Sequence, residues 1–192
     1  MNKSESKYYN TALCMDKALL QLLEKKDFEF ITIKEICKTA GVNRSTFYLH
    51  YENLYDLLEE TINMISKEFY GSFSKTSVKE ELYTATADDM FFITPDYLYP
   101  YLNFIKNNLK LFKTIHNKPI LFNVNSAYKK MCNDLFFPIL SKFKVPQEKR
   151  PYVLAFYTKG LYAVVDEWIS NNCKDDIETV VKIMLEFITY KS

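Results

Sequence analysis

The sequence predicts an all-α protein, a small N-terminal three-helix DNA-binding unit followed by a larger helical domain. Two features of composition and pattern carry that expectation. Only three glycines and six prolines occur among 192 residues, too few to turn the chain through many short strands. Between the prolines, apolar residues recur three and four apart, the spacing of one helix face. A third feature locates the unit: Thr32–Leu58 reads as two short helices joined by a tight turn, with a third starting just behind them. Hydrophobic residues make up 48% and charged residues 26%, a balance that excludes a largely disordered chain.

Taken in order, residues 1–7 read as a frayed arm and Tyr8–Lys25 as a first helix, with Ala12, Met15, Leu19, Leu22 and Leu23 turned inward. Asp27–Phe30 is a connector whose Phe28 and Phe30 are expected to fold under the core. Thr32 with Glu35 three residues on forms a capping box, each side chain reaching a backbone N–H of the other. Ile33, Ile36, Cys37 and Ala40 then make a one-sided stripe, and Gly41 ends the helix because glycine enters the left-handed region at no Cβ cost. Asn43 caps the next helix, Arg44–His50. That helix turns Phe47 inward and leaves Arg44, Ser45, Thr46, Tyr48 and His50 outward. Asn53 caps a longer helix, Leu54–Phe73, with Leu57, Leu58, Ile62, Ile65 and Phe69 on one side. Beyond Gly71 the polar run Ser72–Lys79 suggests a loop.

In the second half the prolines mark boundaries, with helices expected over Tyr101–His116 and Ile120–Phe137. Pro151–Asn172 carries an apolar stripe too broad for a surface helix. Asp175 and Glu178 suggest a cap for a last helix, Asp176–Tyr190, with Ile177, Val180, Val181, Met184, Phe187 and Ile188 on one face. Gly160 in mid-helix costs about 1 kcal/mol against alanine, which close approach of another helix would compensate.

Helix, glycine turn and short helix with a polar outer face make a helix-turn-helix. The order TIKEIC, AGV, STFYLHY, NLYDLL closely resembles the DNA-binding domain of the TetR/AcrR family of bacterial transcriptional regulators. The likeness covers residues 8–70; beyond them chain length, the helical pattern and the last two helices are similar. The resemblance implies a DNA-binding domain at 1–53, linked by helix 54–73, and a helical effector-binding and dimerisation domain at 54–192. It implies a dimeric repressor of transcription on an inverted-repeat operator in double-stranded DNA, controlled by a small-molecule effector. DNA contacts are expected from Thr32, Lys34, Arg44, Ser45, Thr46, Tyr48 and His50. Where the family often carries a phosphate-contacting lysine, this chain has Leu54.

The last two helices would pair with their mates in a homodimer through Tyr157, Gly160, Leu161, Val164, Trp168, Val180, Val181, Met184 and Phe187. Tyr97, Tyr101, Phe104, Phe112, Tyr128, Phe136 and Tyr157 are candidates for an effector pocket, although for any one of them core packing is the simpler reading. His116 reads as a hydrogen-bonded or solvated residue near a helix end.

Charge and chemistry set the remaining bounds. Net charge is +1 and the sequence pI about 7.6, so any DNA contact must come from local placement of bases, not from a bulk field. Two histidines without metal-ligand spacing imply no metal site. No nucleophile elbow, phosphate loop or dinucleotide fingerprint is present, so neither catalysis nor a cofactor is expected. Four scattered cysteines suit a reducing cytoplasm. Cys14 and Cys37 fall on inferred core faces, and Cys173 is the one candidate for a redox-sensing thiol. No signal peptide and no apolar run of the ~18–20 residues needed to span a membrane are found. The competing readings are a helical interaction protein with weak or lost DNA binding, and a thiol-based redox regulator.

Overall fold

A computed structural model describes residues 3–73, 94–124, 126, 129–130, 133, 140–141 and 144–188, and every regular element among them is helical. They are α1 (Lys3–Leu23), α2 (Ile33–Ala40), α3 (Arg44–His50), α4 (Leu54–Phe73), α5 (Pro95–Asn107), α6 (Leu109–Asn117), α7 (Arg150–Ser170) and α8 (Ile177–Ile188), with a short 3-10 turn at Phe28–Phe30. The chain divides into two compact units, Met1–Glu68 and Phe69–Ser192. The division falls inside α4, so most of that helix belongs with the helix-turn-helix and not with the C-terminal unit.

In the first unit, residues 3–7 already belong to α1, so the described part of the expected arm is helical. Ala12, Met15, Leu19 and Leu23 are buried, as are Ile36 and Cys37 of α2, Phe47 of α3, and Leu57, Leu58 and Ile65 of α4. Two inward assignments fail. Phe28 is buried but Phe30 is 70% exposed, because a single 3-10 turn cannot aim residues two apart in one direction. The Phe30 carbonyl instead accepts a hydrogen bond from Lys26 Nζ at 2.8 Å. Cys14 is exposed, one position short of the buried Met15.

One buried polar contact went unanticipated. Asp16 of α1 is enclosed and accepts a hydrogen bond from Thr61 Oγ1 of α4 at 2.7 Å. Burial, the larger influence, pushes the Asp16 carboxyl up to about 6 against the opposing Thr61 bond.

Among the described residues of the second unit, α5, α7 and α8 contribute Leu98, Leu102, Ile105, Leu161, Val165, Trp168, Val180 and Met184 to one apolar core. The single helix expected over Tyr101–His116 is two helices. Asn108 breaks it with a non-helical backbone, and its Nδ2 donates to the Phe104 carbonyl at 2.9 Å. Pro100 does not end a helix but lies inside α5, which opens on Pro95. Pro119–Asn123 forms turns, with Asn123 left-handed, and much of the helix expected from Ile120 falls outside the described residues. The last helix is capped one residue later than expected, by Asp176 accepting from Thr179 N at 2.7 Å. Before it, Asn172 and Cys173 are both left-handed, and Trp168 Nε1 donates to the Asp175 carbonyl at 3.1 Å. That bond ties the α7–α8 turn to the core.

Candidate nucleic-acid interface

The helix-turn-helix is held by local hydrogen bonds that its sequence specifies. Thr32 Oγ1 accepts from Glu35 N at 3.3 Å, and the Glu35 carboxylate accepts from Thr32 N at 3.0 Å. The same carboxylate takes Lys26 Nζ at 2.6 Å. These bonds, Lys26 first, hold the Glu35 carboxyl down at about 2. Gly41 turns the chain at φ 70°. Asn43 Oδ1 then gathers three donors, Thr46 N at 2.7 Å, Ser45 Oγ at 2.6 Å and Thr46 Oγ1 at 2.8 Å. Asn53 Oδ1 caps α4 through Tyr55 N at 2.7 Å, while Asp56 Oδ2 accepts from Glu52 N and Asn53 N.

This frame fixes which residues α3 offers. Phe47 and the following Tyr51 are buried and anchor it. Arg44 and Ser45 are exposed, and Tyr48 is 52% exposed with its hydroxyl accepting from Arg44 Nη2 at 3.4 Å. Thr46 is half-buried and its hydroxyl proton is committed to Asn43. Thr32 and Lys34 are exposed at the start of α2.

His50 departs from the outward placement: its ring stacks on Tyr8 of α1 with centroids 3.9 Å apart. Burial lowers its pKa, so neutral imidazole is favoured there. His50 therefore ties the end of α3 to α1.

Sequence reasoning missed Leu49, which is 76% exposed. The signal was available. Two residues beyond Phe47 is about 200° around a helix, so an apolar side chain there must point away from the core. Leu54 is half-buried, and Tyr55 beside it is exposed.

The remaining candidates lie in the second unit. Leu161, Trp168, Val180, Val181 and Met184 are enclosed in that unit's own core, so the stripe read as facing a partner faces inward instead. Tyr157 and Val164 are half-buried against the same core. Phe187 is 77% exposed, and Gly160 has open space where a Cβ would stand. Outward on α7 and α8 are Tyr152, Phe156 and Ile183, which were not among the expected interface residues.

Of the aromatic candidates, Tyr101, Phe104 and Phe112 form an edge-to-face chain with Phe69. Tyr128 and Phe136 lie outside the described residues, as does the side chain of Tyr97. His116 Nδ1 meets Asp166 Oδ1 at 2.6 Å. Cys173 is buried and burial pushes its thiol up, the reverse of what a reactive thiolate needs. Among the described residues no group of three metal-ligating side chains occurs, and no helix is long and apolar enough to cross a membrane.

A three-helix unit that sets a short polar-faced helix on its surface is the architecture of a helix-turn-helix regulator. Residues 17–61 match the family described as bacterial regulatory proteins, tetR family, and residues 94–190 match the transcriptional regulator C-terminal region. The chain belongs to the TetR family of bacterial transcriptional regulators. A curated relative is the uncharacterized HTH-type transcriptional regulator YxbF of Bacillus subtilis (strain 168), 26% identical over 184 residues. That alignment takes in 91% of this chain but 44% of YxbF, so the chain spans less than half the length of that relative.

Solved structures share the fold. The fatty acid degradation regulator FadR from Bacillus halodurans superposes with a TM-score of 0.64 at 18% identity, covering 93% of this chain and 98% of FadR. A TetR-like transcriptional regulator from Rhodococcus sp. RHA1 gives 0.61 at 12% identity, covering 93% of each chain.

Proposed function

We propose that the protein represses transcription by binding an inverted-repeat operator as a homodimer, with α3 of each protomer in the major groove. The observation that carries this reading is the presentation of α3. It is anchored by Phe47, capped by Asn43, and leaves Arg44, Ser45, Tyr48 and Leu49 exposed on its outer side. Arg44 supplies a guanidinium suited to the guanine edge or to a phosphate, and Lys34 and Thr32 meet the sugar–phosphate backbone from α2. Ser45, Thr46 and Tyr48 line the approach, and His50 contributes by holding α3 in place. With Leu54 where a lysine would add a phosphate contact, the slope of binding against salt is shallower by about one counterion.

The homodimer forms through the outer faces of α7 and α8, using Phe156, Gly160, Ile183 and Phe187. The exposed apolar side chains Phe156, Ile183 and Phe187 on these two helices favour such a contact. A small, largely apolar effector in the C-terminal unit, contacting its aromatic residues, then shifts the spacing of the two α3 helices through α4. The location is the cytoplasm.

An electrophoretic shift with the DNA upstream of the chain's own coding sequence, repeated across salt concentrations, tests the reading. A specific complex whose affinity falls with salt is expected. A chain that shifts no upstream fragment while remaining folded would instead be a helical interaction protein with lost DNA binding.

A further inference from the structure

We propose that Leu49 reads the 5-methyl group of a thymine in each half-site, which makes it a specificity-determining residue; the inference rests on the DNA-binding reading of α3. Phe47 is fully buried, and about 200° away around the helix stands Leu49, 76% exposed. Ser45, four residues earlier, shares that outer pole. The hydroxyl protons at and beside the pole are already committed. Ser45 Oγ and Thr46 Oγ1 both give their protons to Asn43 Oδ1, at 2.6 and 2.8 Å. Tyr48 Oη accepts from Arg44 Nη2 at 3.4 Å, on the flank and not at the pole.

The outermost surface of α3 therefore carries an aliphatic side chain and a hydroxyl that is already donating. In the major groove the one apolar base feature is the thymine methyl. A guanine carbonyl against Leu49 would lose water and gain no donor, and a cytosine would offer no methyl to bury. Leu49 thus selects thymine by burying a methyl, while Arg44 on the flank supplies the polar contact.

The test uses the full chain. Duplexes bound by the wild-type protein are selected from a randomised pool, and each thymine of the selected half-site is replaced in turn by deoxyuridine, which removes only the 5-methyl. Wild-type affinity is expected to fall about fourfold at one thymine per half-site. Leu49→Ala, at an exposed helical position, is expected to fold normally and to bind thymine and deoxyuridine at that position within twofold of each other. Enrichment of a site with no thymine, deoxyuridine tolerated at every position, or an equal loss in L49A overturns the methyl contact and leaves DNA binding standing. Failure to enrich any sequence overturns the DNA reading itself, and the methyl contact with it.

Discussion

The first unit is assembled from short-range signals, whereas the second is assembled from contacts between residues far apart in the chain. In the first, Thr32 and Glu35, Gly41, Asn43 with Thr46, and Asn53 with Asp56 each fix a helix end within four residues. Long-range packing then needs only a few anchors such as Phe47 and the Asp16–Thr61 hydrogen bond. In the second unit, Trp168, Leu102 and Met184 come from three different helices to one core, and among the described residues two of its four helices are proline-led. The surface proposed to meet DNA is thus set by local rules.

Breaking the anchor of α3 gives the largest expected effect. Phe47→Ala leaves a cavity worth about 3–5 kcal/mol, enough to unfold the helix-turn-helix. The chain holds one tryptophan, Trp168, buried in the other unit, so its fluorescence transition reports that unit by itself. Loss of helical circular dichroism with the Trp168 transition unchanged is expected. Simultaneous loss of both would show that the units do not fold separately.

Second comes Asp16. Folding holds its proton up to about pH 6, while the ordinary carboxyl releases it near 3.8. The stability that protonation gives is full below pH 3.8 and is lost as pH rises through 6. The difference at neutral pH is at most about 3 kcal/mol, and solvent screening lowers it. Asp16→Asn keeps an acceptor for Thr61 and is expected to raise the stability of the first unit at pH 7.5 while changing it little at pH 4. A denaturant series at both pH values checks this, and an equal effect at both would contradict it.

Third are the caps. Thr32→Ala and Asn43→Ala are each expected to cost about 1 kcal/mol, and Gly41→Ala about 1–2 kcal/mol because the left-handed φ strains any Cβ. Amide exchange localised to α2 and α3 reads these effects. The smallest change in protomer stability is expected for Phe187→Asp, within about 0.5 kcal/mol, since that side chain lies outside the core. The same variant is expected to convert a dimer to a monomer by sedimentation. An unchanged dimer would move the interface elsewhere.

The same contrast explains what could be read from the sequence. Helix ends in the first unit followed from residue types three apart, and α4 began where expected. Apart from the expected arm, which is already part of α1 from Lys3, the failures there concern direction: Phe30 and Cys14 face solvent, His50 folds back on Tyr8, and Asp16 is buried because Thr61 waits on another helix. None of those pairings leaves a local pattern. In the second unit the amphipathic stripes of α7 and α8 were visible, but a stripe cannot say whether its partner belongs to the same protomer or to another. Leu161, Trp168 and Met184 turned out to face their own core.

The central claim is that α3 presents its outer face to DNA, and Arg44 tests it most directly. Fluorescence anisotropy with a selected operator duplex at fixed salt, comparing wild type with Arg44→Ala, is expected to show a loss of roughly 10- to 100-fold with thermal unfolding unchanged. Equal affinity for the two proteins would contradict the account.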